Sequence, residues 1–82
     1  MREGHGLVRV AVDPASGLIG KRLSETPFTR PGNLVLGIER GREWIPAPAS
    51  QRELRAGDKL TVYGSLEELE RLPHRPPAQK VA

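Results

Sequence analysis

The stretch from Leu54 to Leu69 constrains the fold more than any other part of this 82-residue chain. Gly57-Asp58 is a strong turn dipeptide, because glycine reaches positive φ without steric cost and aspartate bonds back to nearby backbone. Leu60 and Val62 then alternate with Lys59, Thr61 and Tyr63, the period-2 pattern of a half-buried strand. Gly64 ends that strand. Ser65 followed by Glu68 has the spacing of a capping box, and Leu66, Leu69 and Leu72 recur on one face of the helix it would start. Turn, strand and helix follow one another with almost no slack, and none of these residues is an obvious catalytic group.

The rest of the chain reads as one small domain. A chain this short buries only about 60–65% of its unfolded surface, so oligomerisation would be a natural remedy for a marginal core. There is no cysteine, which excludes disulfides and thiolate metal sites and suits a reducing compartment. No apolar run approaches the roughly 20 residues of a membrane span. The segment Met1 to Gly6 has no apolar core of a signal peptide. The expected location is the cytoplasm, without membrane insertion. The net charge is +3 with a pI near 10.0, carried mostly by arginine. Such a balance fits nucleic acid, a phosphate-bearing ligand or an anionic surface. However, the charges are dispersed, and Phe28, Trp44 and Tyr63 are too few for a base-stacking platform.

Residues 1–6 read as a flexible, glycine-rich start. Leu7 to Val12 reads as a strand, with Val8, Val10 and Val12 on one face and Leu7, Arg9 and Ala11 on the other. Asp13-Pro14 breaks it. Gly20 to Glu25 reads as a short helix that Pro27 stops, with Ile19 and Leu23 on one apolar face. Leu34 to Glu39 reads as the central strand, with Leu34, Leu36 and Ile38 sharing a face. Arg40-Gly41 would close a hairpin into Arg42 to Ile45, and Pro46-Ala47-Pro48 would end that arm. The strand Lys59–Tyr63 and the helix Ser65–Leu72 follow. The Pro- and Arg-rich tail 73–82 reads as disordered. The order is strand, short helix, three strands and helix. It predicts an α+β fold: a small four-stranded mixed β-sheet sandwich covered by helix, in βαβββα order.

Residue types that carry chemistry do not form constellations here. The serines lie in no nucleophile motif, and no histidine is placed as a base. His5 and His74 have no second ligand near them in sequence, so no metal site is expected. The glycines form no Walker or dinucleotide fingerprint. Asp58 reads as a turn former. Arg40 reads as a hairpin-end residue pairing with Glu39 or Glu43, and Trp44 as filling either the core or an interface. No cofactor is expected, and the chain does not read as an enzyme.

The words of the sequence resemble the TrkA C-terminal domain, also called the C-terminal RCK domain. They run in order: Gly20-Lys21-Arg22-Leu23 with Glu25; Gly32; Leu34-Val35-Leu36; Ile38-Glu39-Arg40-Gly41; Pro46-Ala47-Pro48; and Leu54, Gly57, Asp58, Leu60, Val62 and Gly64. The resemblance covers roughly residues 7–72. It implies a regulatory domain of potassium or cation channels and transporters, working as a homodimer beside a channel or antiporter subunit, at the inner face of the membrane through that partner. It also implies a small anionic effector, such as a nucleotide, in the groove between subunits. Carried over by position, the ligand residues are Phe28, Thr29, Arg30, Leu34 and Val35, and the dimer contacts are Leu34, Leu36 and Trp44. The loop from Leu23 to Gly32 is one residue shorter than in family members that bind cyclic dinucleotides. Their loop arginine matches Thr29 or Arg30, and their strand-start asparagine falls on Leu34, one position after Asn33. The alternatives are a dimerisation module without ligand and a small basic nucleic-acid-binding domain. Of these partners nucleic acid is the least expected.

Overall fold

Val8, Val10 and Val12 are all buried; Val8 and Val10 lie on an inner strand of a five-stranded sheet and Val12 just past its end. The structure is a computed structural model that describes residues 3–72 and 75–80. Its strands are β1 (His5–Ala11), β2 (Leu34–Arg40), β3 (Glu43–Pro46), β4 (Lys59–Ser65) and β5 (Arg75–Lys80). A six-residue helix, α1 (Leu66–Arg71), follows β4 without a break. Between β1 and β2 the chain makes three short 3-10 turns, at Pro14–Ser16, Leu23–Glu25 and Pro27–Thr29.

The strand order is β3-β2-β4-β1-β5, and every pairing is antiparallel. The expected mixed sheet is corrected for a topological reason. Strands β1 and β2 run in the same direction, but β4 lies between them and pairs antiparallel with each. A parallel neighbour pair would need a crossover, usually helical. The expected helix over Gly20–Glu25 does not form. Gly20 sits at φ +86, outside helical space, and Thr26 is extended before Pro27, so only the turn Leu23–Glu25 remains. Arg22 is drawn instead into a bridge with Glu53.

Two ends also differ from expectation. His5 and Gly6 belong to β1 rather than to a loose start, and Gly4 accepts a backbone bond from Leu66 at 2.9 Å. Residues 75–80, read from composition as part of a disordered tail, pair with β1 as β5. Pro76 and Pro77 lack an N–H and fit only such an edge position. Met1, Arg2, Pro73, His74, Val81 and Ala82, parts of the expected loose start and tail, lie outside the described residues.

The core lies on one side of the sheet. Val8, Val62 and Val35 form one cross-strand row, and Val10, Leu60, Ile38 and Ile45 the next. Leu69 and Leu72 from the helical segment cover this face, together with Leu18, Leu23, Phe28 and Leu54 from the loops. Ser65 Oγ accepts from Glu68 N at 3.4 Å and starts α1 as the sequence indicates, while Glu67, Glu68 and Glu70 stay in water.

A bulge in β2 sets what faces outward. Leu34 and Val35 pair with Tyr63 and Val62, but the next pairs are Gly37 with Thr61 and Ile38 with Leu60. The extra residue lets Val35 and Ile38 both point into the core. Leu34, Leu36 and Ile38 therefore do not share a face as simple alternation predicts. Leu34 is outside and Ile38 inside.

Candidate functional site

The loop entering β2 is tied down by its own backbone. Thr26 and Thr29 each donate a hydroxyl to Leu23 O, at 2.8 and 2.9 Å. Arg30 N donates to Pro27 O and Asn33 N to Arg30 O, so two successive turns carry the chain into β2. The Asn33 amide donates to Pro27 O at 3.4 Å. Its Oδ1 lies so close over Gly64 that a Cβ there would meet it at 2.3 Å, which explains the glycine at the end of β4.

This loop sorts the expected ligand residues into two groups. Phe28 is fully buried and Val35 is on the inner face at 8% exposure, so both side chains are core. Thr29, Arg30 and Leu34 are exposed. Among the described residues the Arg30 guanidinium has no partner. The loop thus presents one uncommitted cation beside an exposed leucine at the start of β2.

The outer face of the sheet continues from Leu34. Leu34, Tyr63 and Leu7 are cross-strand neighbours in one row. His5 packs near the Tyr63 ring, with centroids 6.3 Å apart. Trp44 lies across from Glu39 on β3 and lays its ring over Gly37, where a Cβ would fall 2.1 Å from the indole. Leu34 and Trp44 remain 58% and 50% exposed, and Leu36 is half-buried. Arg9 donates to Glu39 at 2.6 Å, an ion pair spanning β4 on this same face. The residues expected at a dimer contact are therefore all at least partly accessible, and no element of the described chain covers the face.

The other end of β2 is built differently. Arg40 Nε and Nη2 donate to the two carboxylate oxygens of Asp58 at 2.9 and 2.8 Å. Nη2 also donates to Glu53 O at 2.9 Å, and Arg55 N donates to Asp58 Oδ2 at 2.9 Å. The Asp58 side chain is wholly buried and that of Arg40 is 16% exposed. The hydrogen bonds that Arg40 donates to Asp58, and then the charges of Asp58 and Glu43, raise the Arg40 pKa, against partial burial that lowers it. Glu39 and Glu43 are not the ion-pair partners of Arg40: Glu39 is held by Arg9, and Asp58 takes Arg40. Beside this junction an open depression of about 490 Å³ is lined by Arg40, Ala49, Gln51, Arg52, Glu53 and Arg55.

The Arg40–Asp58 pair is the feature that reading along the sequence misses. Its signal lies in parity. Arg40 is two residues beyond inward-facing Ile38, and Asp58 two before inward-facing Leu60. Opposite charges therefore stand at the same end of the covered face on neighbouring strands. That becomes readable only once β2 and β4 are known to be partners.

No curated protein matches the chain. The TrkA-C domain model matches residues 7–73. With most of its length matched, the chain belongs to the TrkA-C domain family, which consists of regulatory rather than catalytic domains and is linked to potassium transport.

Proposed function

We propose that this chain is a non-enzymatic regulatory domain that pairs with a second copy of itself through the outer sheet face and reads a small anionic effector at the seam. The observation that carries the reading is the uncovered outer face, with Leu34 and Trp44 both at least half exposed on it. Strand edges offer a poorer route to pairing. Pro46 ends β3, and Pro76 and Pro77 interrupt β5, so neither edge presents an unbroken ladder of donors. A face-to-face contact centred on the Leu34–Tyr63–Leu7 row would place Arg30 at the rim of the seam. An arginine there offers a planar fork of donors suited to phosphate oxygens.

The mechanism is linkage. An effector that binds one arrangement of the two subunits better than another shifts the population toward it by the ratio of its affinities. A cation channel or antiporter subunit attached to the pair would receive that shift. Nucleotides, cyclic dinucleotides among them, are the effector class that combines phosphate with an apolar body for the leucine row.

Sedimentation velocity tests the pairing. Wild type should run as a dimer at micromolar concentration, and Leu34→Asp as a folded monomer with an unchanged circular dichroism spectrum. A wild-type monomer under those conditions overturns the reading. Thermal-shift titration with nucleotides and cyclic dinucleotides tests the effector, since a ligand of the folded state raises apparent stability with saturation. Arg30→Gln should abolish the shift. A dimer that responds to none of them would be a dimerisation module alone.

A further inference from the structure

We infer that the arginine-lined depression at the far end of β2 is a second anion site, one that binds the phosphate groups of a small soluble molecule within a single copy of the chain. Leu34 and Arg40 stand at opposite ends of β2, about 20 Å apart at roughly 3.3 Å per residue. The two ends also open on opposite faces, since Arg40 follows the inward parity of Ile38. The depression is therefore separate from the outer-face seam and does not need a partner copy.

Three arginines line it, Arg40, Arg52 and Arg55. Arg40 is immobilised by three hydrogen bonds through Nε and Nη2, while its Nη1 has no partner among the described residues. Guanidinium carries five N–H donors, so two remain to be used. The side chains of Arg52 and Arg55 are likewise unpaired among the described residues. Their loop is not slack. Leu23 N donates to Arg52 O at 2.9 Å, Leu54 N to Lys21 O at 2.9 Å, and Gly20 N to Leu54 O at 2.8 Å. Buried Leu54 anchors the loop between the two arginines.

Charge and shape favour phosphate over carboxylate. Asp58 neutralises Arg40, and Glu53 is the one acidic lining residue set against Arg52 and Arg55, so the depression stays net positive. One fork satisfies the two oxygens of a carboxylate, whereas several forks can share the oxygens of a phosphate chain. The volume, about 490 Å³, lies within the roughly 300–1,000 Å³ of small-molecule sites. Ordering a ligand against a guanidinium that is already fixed loses little further freedom.

The test is a nitrogen-15 NMR titration of the whole chain with sodium tripolyphosphate at constant ionic strength. The expected result is saturable shifts at Arg40, Arg52 and Arg55. The double variant Arg52→Gln/Arg55→Gln, altered only at exposed positions, should stay folded and bind about a hundredfold more weakly, as loss of two charge-assisted contacts implies. Arg30→Gln and Leu34→Asp should bind within about twofold of wild type, so failure of the seam would not be mistaken for failure of this site. Binding by the double variant within that same margin overturns the inference. So do shifts gathered around Arg30, or retention on phosphatidylglycerol vesicles with no response to tripolyphosphate.

Discussion

The two faces of the sheet are made from the same strands, yet one is closed and the other bare. On the inner face the valine and leucine rows are covered by α1 and by the loops carrying Leu23, Phe28 and Leu54. On the outer face, Leu34 shares a row with Tyr63 and Leu7, Trp44 lies over Gly37, the Arg9–Glu39 pair spans β4, and Leu34 and Trp44 stay at least half exposed. On the proposed reading, the contrast separates stability from recognition. The described elements cover one face of the sheet, and the apolar surface on the other is what the proposed pairing would use. The bulge in β2 sharpens the division. It turns both Val35 and Ile38 inward and leaves Leu34 out.

The largest test of this division is to cut the same kind of side chain from each face. Ile38→Ala on the inner face should cost about 3–4 kcal/mol, the usual range for a large-to-alanine change in a packed core. Phe28→Ala should cost a similar amount or more, because Phe28 is fully buried and supports the loop below Arg30. Leu34→Ala on the outer face should cost under about 1 kcal/mol in a monomer. Urea denaturation measures all three. Equal losses at Ile38 and Leu34 would mean that the outer face is covered after all.

Next in size is the charged end of the inner face. Asp58→Asn removes the charge facing Arg40 and disturbs bonds to both Arg40 and Arg55 N. The expected loss is about 2–3 kcal/mol, below the full cost of breaking a buried pair because Arg40 can reach water. Arg40, with its pKa raised, contributes stability below its ordinary titration range and loses it only above the raised value. It therefore adds no pH dependence near neutrality. A double-mutant cycle of Asp58→Asn with Arg40→Gln should return a coupling of more than about 1 kcal/mol. Zero coupling would show that the geometry does not matter energetically.

Much of this division can be read from residue order, and the unreadable parts have physical causes. Period-2 alternation locates β1 and β4 and identifies Val8, Val10, Leu60 and Val62 as core. The Ser65 cap locates α1. The same alternation fails in β2, since a bulge adds one residue and inverts every assignment beyond it. Composition fails at 75–80, where an edge strand tolerates the prolines that suggest disorder. At the candidate site, exposed Arg30 and Leu34 follow from the family pattern, but burial of Phe28 and Val35 depends on how the loop folds back. The Arg40–Asp58 pair joins positions 18 apart in sequence, which no local rule connects.

A smaller effect is expected where the outer face is held by a single aromatic contact. Gly37→Ala would place a methyl group inside the volume of the Trp44 ring, so the indole must leave. Trp44 is half exposed and can swing outward. The cost should be about 1 kcal/mol, the upper range of a cross-strand aromatic contact, rather than a core-sized loss. Because Trp44 is the sole tryptophan, its emission reports the event directly. A red shift with near-native stability is expected. If Trp44 is part of a face-to-face seam, the same change should also weaken dimerisation in sedimentation. An unshifted spectrum would mean that the backbone gives way and the ring stays.

The smallest effect expected is a gain. Ala47 holds φ +41, the sole non-glycine residue in left-handed space among those described. It does so while its N–H donates to Leu36 O at 2.8 Å, inside the stretch of β2 where the bulge occurs. Pro46 and Pro48 flank it and restrict any other path. A left-handed conformation costs an alanine about 1 kcal/mol, and glycine would remove that strain. Glycine also loses more backbone entropy on folding, which takes back part of the gain. Ala47→Gly should therefore stabilise by about 0.5 kcal/mol, with the bulge and the outward position of Leu34 retained. The inner face is indifferent to this change, whereas the bulge that separates the two faces is not. A loss of stability instead would show that stiffness at Pro46-Ala47-Pro48, rather than the bond to Leu36 O, holds β3 in register.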